Sequence, residues 1–130
     1  MSDSRHLIAV VDDEESVRRA LKRLLVSAGF VVESFASGAL FFSFLKTQRP
    51  DCVVLDLHMP GMSGLQVLRK LKAAGQRLSI VVITAHDEPE TRERCIDAGA
   101  CAYLRKPLED RLLLNAISAA MRSHSAPIKR

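Results

Sequence analysis

The feature that most constrains this chain is a set of five short apolar runs, at 7–11, 30–35, 52–55, 80–83 and 101–104. They are rich in Val, Ile and Leu and bordered by polar residues, which reads as strands. Three are apolar on both sides of the pleat, as strands buried on both faces of a parallel sheet must be. Helical patterns lie between them. In the first, Val17, Ala20, Leu21, Leu24 and Ala28 share a face, with Gly29 as the stop. The second, at 38–46, follows Ser37 as N-cap and is apolar nearly all round, so part of it is expected to be exposed or to pack on a partner. The third spans 65–74, with Ser63 near its start and Gly75 after it. The fourth opens on Asp87-Glu88-Pro89-Glu90, where Asp87 caps and Glu90 returns the bond; Ala98-Gly99 closes it. The fifth runs from about 109 to 121, with Leu113, Ile117 and Ala120 on one face.

Five βα repeats imply a parallel sheet with right-handed crossovers and helices on both faces. Such sheets bind ligands at the carboxyl ends of their strands, near the point where strand order reverses. With 130 residues the chain has room for one domain. No apolar run approaches the roughly 20 residues of a membrane span. The stretch 1–5 lacks an apolar segment after Arg5, so no signal peptide is expected. Cys52, Cys95 and Cys101 form no CxxC pair and are expected to be reduced, packed thiols of a cytoplasmic protein. The net charge of +4 is dispersed and gives no footprint for direct nucleic-acid binding. There is neither a GxGxxG nor a GxxxxGK[ST] loop, which argues against a nucleotide-binding domain.

Polar residues stand where four runs end: Asp12-Asp13, Asp56, Thr84, and Lys106-Pro107. In a parallel sheet these ends share one edge. Singly, each has a plain use: Asp13 as a helix cap, Thr84 as a strand terminus, Lys-Pro as a turn. Together they suit phosphoryl transfer. Carboxylates hold a hard divalent cation, an aspartate can become an aspartyl phosphate, and a lysine and a hydroxyl can meet phosphoryl oxygens.

Four pieces in order carry a specific resemblance: Val10-Val11-Asp12-Asp13-Glu14, Leu55-Asp56-Leu57-His58-Met59-Pro60-Gly61-Met62-Ser63-Gly64, Ile83-Thr84-Ala85 and Tyr103-Leu104-Arg105-Lys106-Pro107. Over about residues 6–122 the chain resembles the receiver domain of bacterial two-component response regulators, closest to those with a transcriptional output domain. That resemblance implies a single doubly wound (βα)5 domain at 1–122, of the flavodoxin-like α/β class with strand order 2-1-3-4-5. It leaves 123–130 as a polar tail or the start of a linker. It implies that Asp56 is the phosphoacceptor and that Mg2+, or Mn2+ in its place, is held by Asp12, Asp13, Asp56 and the backbone carbonyl of His58. Lys106 would pair with the phosphoryl group, and the Lys106–Pro107 bond would be cis. Thr84 would move toward the phosphate and Tyr103 would then turn inward, repacking the face of the fourth helix, fifth strand and fifth helix. The implied donor is a sensor histidine kinase or a phosphotransfer protein, and a homodimer through that face is a further expectation. The implied chain is a signalling phosphoacceptor rather than an enzyme, and it reaches DNA only through an output domain outside this sequence.

His58 and His86 each lie two residues past a site residue. They are expected to tune how long the phosphoryl group stays, to make that lifetime vary between about pH 5 and 8, or to capture Zn2+ or Ni2+. Three other readings compete. A phosphohydrolase of the haloacid dehalogenase type wants a second Asp where His58 stands. A phosphate-independent pseudo-receiver usually lacks an acidic residue or the lysine, and all are present. A stand-alone regulator would act by protein binding without an output domain.

Overall fold

The computed structural model describes residues 5–125. The elements are β1 (Leu7–Val11), α1 (Glu15–Ser27), β2 (Val31–Phe35), α2 (Gly38–Leu45), β3 (Cys52–Asp56), α3 (Gly64–Ala73), β4 (Ile80–Thr84), α4 (Pro89–Asp97), β5 (Ala102–Arg105) and α5 (Asp110–Ser125). All five strands pair in parallel in the order β2-β1-β3-β4-β5, the flavodoxin-like doubly wound arrangement.

The period of two in each strand divides the core into two layers. Ala9, Val11, Val53, Leu55, Ile80 and Val82 face Phe41 of α2, Val67 and Leu71 of α3, and Cys95 of α4. Ile8, Val10, Val54, Val81 and Ile83 face Leu21 and Leu25 of α1, with Leu113 and Ile117 of α5. A fully buried large aliphatic contributes about 1.5–3 kcal/mol. Two such layers can carry the cost of burying Asp12, Asp56 and Thr84 at the strand ends.

Several local expectations are corrected. The buried face of α1 centres on Leu21 and Leu25, while Ala20 and Ala28 are exposed. Helix α4 has no capping box. Pro89 occupies its first turn, the N-cap falls on Glu88, and no side chain makes a cap bond. Asp87 instead pairs with Arg92 at 3.4 Å, and Glu88 accepts from Thr91 Oγ1. Cys101 lies before β5 and is exposed, unlike the buried Cys52 and Cys95. Burial pushes the Cys52 thiol up to about 12, as for an inert core group. Helix α2 follows the expectation rather than correcting it: Phe41 is buried and Leu40 is exposed. Helix α5 continues to Ser125, three residues into the stretch read as a tail. Residues 1–4 and 126–130, on which the leader and linker readings rest, lie outside the described residues. Among the described residues no helix is long and apolar enough to cross a membrane.

Candidate functional site

Strand order reverses between β1 and β3, so the loops leaving these neighbours run to opposite faces and open a crevice between them. The register fills its floor. Val11 lies beside Leu55, so Asp12, just past β1, stands level with Asp56 at the end of β3. Asp56 lies beside Ile83 and Thr84 beside Arg105, which brings Lys106 to the same edge. The Lys106 amide donates to the Thr84 carbonyl at 2.7 Å, continuing the ladder one residue past β5.

The side chains converge as well. Asp12, Asp13 and Asp56 each offer a carboxylate oxygen, all within 4.8 Å of one another. Asp12 is fully buried, Asp56 nearly so, and Asp13 is exposed. Asp13 is not the cap of α1, since that position belongs to Glu14. Asp12 is fixed on two sides. Its Oδ1 accepts from the Glu14 amide at 2.9 Å and its Oδ2 from Lys106 Nζ at 3.1 Å. Lys106 Nζ also lies 3.2 Å from Asp56 Oδ1 and 3.9 Å from Glu14 Oε1.

One ammonium among three carboxylates leaves excess negative charge. Burial raises the Asp56 pKa to about 6, and the charge of Asp12 raises it further than Asp13 does, against the opposing pull of Lys106. Burial acts to lower the Lys106 pKa, but its hydrogen bond to Asp12 and the Asp56 charge outweigh that, and the net shift is upward. Three clustered carboxylates with unrelieved repulsion have the donor set and charge of a hard-cation site, so the residues present fit Mg2+.

Thr84 is at this edge but is turned to its own loop. Its hydroxyl accepts from the His86 amide at 3.0 Å and donates to the His86 carbonyl at 3.1 Å. His58 lies in the β3–α3 loop and His86 in the β4–α4 loop, and both are exposed. Their rings meet edge to face, with centroids 5.0 Å apart and planes at 89°. Tyr103, expected to turn inward once Thr84 moves, is already buried while Thr84 is held at His86. Among the described residues its buried hydroxyl has no hydrogen-bond partner. Burial raises its pKa, and the Glu88 backbone offsets part of the rise without reaching hydrogen-bonding geometry. The Lys106–Pro107 peptide bond is cis.

Three further contributors enter: Arg18 and Arg92 carry no sequence signal of their own, and Gly64 stands in the sequence reading only as the last residue of the Leu55–Gly64 stretch, without a role. Arg18 donates to the Asp12 carbonyl at 2.8 Å. Arg92 lies over the Tyr103 ring, 5.1 Å from its centroid. Gly64 brings α3 against the end of β3: a Cβ there would lie 2.5 Å from the Asp56 carbonyl oxygen.

A sequence model of the response regulator receiver domain matches residues 8–118. The chain belongs to this family. This receiver domain is 38% identical over 122 residues to the response regulator protein TodT of Pseudomonas putida, covering 94% of the chain and 54% of TodT. It is 42% identical over 118 residues to the response regulator MprA of a Mycobacterium species, covering 91% of the chain and 51% of MprA. The receiver domain thus spans about half the length of these curated relatives. Among solved structures, that of FixJ-N superposes with a TM-score of 0.86 at 34% identity, covering 98% of this chain and 100% of that one. The response regulator StyR superposes with a TM-score of 0.81 at 41% identity, covering 92% of this chain and 61% of that one.

Proposed function

We infer that this receiver domain takes a phosphoryl group on Asp56 from a histidine kinase or phosphotransfer protein and passes the event to the α4–β5–α5 face. The observation that carries this is Lys106 Nζ seated between Asp12 and Asp56, 3.1 and 3.2 Å from their carboxylates, with Asp13 completing the acidic cluster. Asp12, Asp13 and Asp56, with the backbone carbonyl of His58, would hold Mg2+, or Mn2+ in its place. The ion supplies neutralisation of the charge on the phosphoryl oxygens.

The chain's own residues do the rest. An Asp56 carboxylate oxygen attacks phosphorus, the bond from phosphorus to the donor's imidazole nitrogen breaks, and that nitrogen keeps the bonding pair. Lys106 is held in reach of Asp56 and pairs with the arriving phosphoryl oxygens. The Thr84 hydroxyl leaves the His86 backbone and donates to a phosphoryl oxygen. Its bonding to His86 in one arrangement and to phosphate in the other gives the phosphoryl group its differential hold on the equilibrium. His58 and His86, flanking the acceptor, tune how long the group stays.

Beside Lys106, Val17, Ala20 and Leu24 of α1 and Leu108 line an apolar groove of about 280 Å³, which suits the donor's docking. Ile96 of α4 and Leu112 of α5 are exposed and offer apolar contacts to an output domain, for transcription control, or to a second copy. The setting would be the cytoplasm.

The test is acetyl phosphate, or beryllium fluoride, with Mg2+. The wild type is expected to gain the mass of one phosphoryl group and to shift the amide resonances of β4–α4. An Asp56→Asn variant that responds like the wild type would overturn the reading.

A further inference from the structure

We propose that the imidazoles of His58 and His86 form a second metal site, separate from the acidic cluster, that takes a borderline divalent cation of the Zn2+, Ni2+ or Cu2+ class and opposes the movement of Thr84. Two loops that are distant in sequence bring these rings together, at 5.0 Å between centroids. Two imidazoles sharing one ion at metal–nitrogen distances of about 2.1 Å place their centroids about 5 Å apart. Both side chains are exposed and able to turn, so rotation of the rings can aim one nitrogen from each at a common point. Among the described residues neither ring makes a hydrogen bond or ion pair, so no protein partner must be displaced. Imidazole nitrogen selects borderline transition ions, whereas the three carboxylates select hard ones. The two sites therefore divide their cations by chemistry, with waters completing the coordination at the histidine pair.

The consequence follows from what His86 already does. Its backbone amide and carbonyl hold the Thr84 hydroxyl at 3.0 and 3.1 Å. An ion tying the His86 ring to His58 restrains the segment that must release Thr84. By reciprocity, an anion that draws Thr84 away must weaken the ion's binding by the same factor that the ion weakens the anion's. This coupling rests on the proposed role of Thr84; the site itself does not.

The probe is Ni2+, titrated calorimetrically into the full chain with Mg2+ in excess to occupy the carboxylates. One Ni2+ per chain is expected. The affinity should fall about tenfold or more in His58→Asn and equally in His86→Asn, and should hold in His6→Asn and Cys101→Ser. Binding that survives both substitutions, or that is lost in only one, overturns the site, as does no binding by the wild type. In a second arm, beryllium fluoride with Mg2+ is expected to weaken Ni2+ binding several-fold in the wild type. Ni2+ is expected to slow acetyl phosphate labelling of the wild type but not of His86→Asn. An unchanged Ni2+ affinity with beryllium fluoride overturns the coupling. If Asp56 takes no label at all, the phosphoacceptor reading fails while the Ni2+ titration still decides the site.

Discussion

Lys106 Nζ lies 3.2 Å from Asp56 Oδ1 while it also donates to Asp12 Oδ2 at 3.1 Å. The ammonium is thus shared. It hydrogen-bonds Asp12 and pairs with Asp56, which is too little to cancel the effect of burial on Asp56 and the repulsion from Asp12. This explains why Asp56 titrates near 6 although a lysine is beside it, and why the site is suited to further cationic charge.

Removing that ammonium should be costly. Lys106 is largely buried, its side chain 18% exposed, and Lys106→Ala leaves Asp12 and Asp56 facing each other without a counter-charge. We expect a loss of about 2 kcal/mol at neutral pH without divalent cation, below the full cost of orphaning a wholly buried pair. Carboxyl-carbon NMR titration of Asp56 should show its pKa rising above the wild-type value. A pKa that falls or stays put would contradict the shared-ammonium account.

Asp56→Asn should show the opposite effect on stability. The folded-state pKa, about 6, stands above the ordinary value of 3.8, so the folded chain holds this proton more tightly than the unfolded chain. The associated stability is fully present below about pH 4 and is lost as the pH rises through 6. In chelator-containing buffer Asp56→Asn should therefore be more stable than the wild type by about 1–2 kcal/mol at pH 7, with the difference closing toward pH 4. Excess Mg2+ should reverse the order, because only the wild type keeps all three carboxylate ligands. Urea unfolding across pH, with and without Mg2+, measures both. A difference that does not vary with pH would locate the effect elsewhere.

These two residues also show what a sequence of this kind reveals. Their convergence was legible because parallel pairing leaves little freedom: once 52–55 and 7–11 are strands, Asp56 and Asp12 must share an edge. The strands were legible for the same reason, since runs such as Val53-Val54-Leu55 can be satisfied only with both faces covered. What escaped depends on competition among near-equal local options. Asp87 and Glu90 have the residue types of a capping box, but Pro89 at the first turn moves the cap to Glu88. Leu25 outcompetes Ala20 for the buried face of α1 because the larger side chain gains more from burial. The Thr84 hydroxyl takes the nearest backbone groups, those of His86, a choice available to any threonine at a strand end. Arg92 reaches Tyr103 from another element, a contact that no spacing rule encodes.

Gly64→Ala tests how tightly α3 is keyed to the acceptor. The new Cβ would meet the Asp56 carbonyl oxygen at 2.5 Å and Leu57 Cα at 2.8 Å, both backbone atoms. Neither can rotate aside, so α3 or the end of β3 must shift. We expect a destabilisation of about 2–3 kcal/mol by chemical unfolding. Slower acetyl phosphate labelling of Asp56 should accompany it, because β3 ends on the proposed acceptor. A substitution without cost would mean that α3 is free to retreat.

Thr84→Ala separates acceptance from response. Loss of the hydroxyl deprives the His86 amide of its acceptor and its carbonyl of a donor, at a cost of about 1 kcal/mol in this part-buried turn. Asp56 should still take phosphoryl from acetyl phosphate, while the amide shifts in β4–α4 should be lost. Thr84→Ser restores the hydroxyl and should restore the shifts. Wild-type shifts in Thr84→Ala would remove the hydroxyl from the switch.

Tyr103→Phe asks whether the tyrosine hydroxyl is structural. It is buried with no hydrogen-bond partner among the described residues, a position that ordinarily costs about 1–3 kcal/mol. Phenylalanine keeps the ring and its stacking with the Arg92 guanidinium, 5.1 Å away. Tyr103→Phe should therefore be as stable as the wild type or more stable by up to about 1 kcal/mol, whereas Tyr103→Ala should lose about 3 kcal/mol to the cavity. One use for such a hydroxyl is in another arrangement, where it finds a partner. If so, Tyr103→Phe should leave Asp56 labelling intact while weakening whatever binds the α4–β5–α5 face after phosphorylation. Tyr103→Phe unfolding at lower urea than the wild type would show that the hydroxyl is already bonded here, and that its role is to hold the fold.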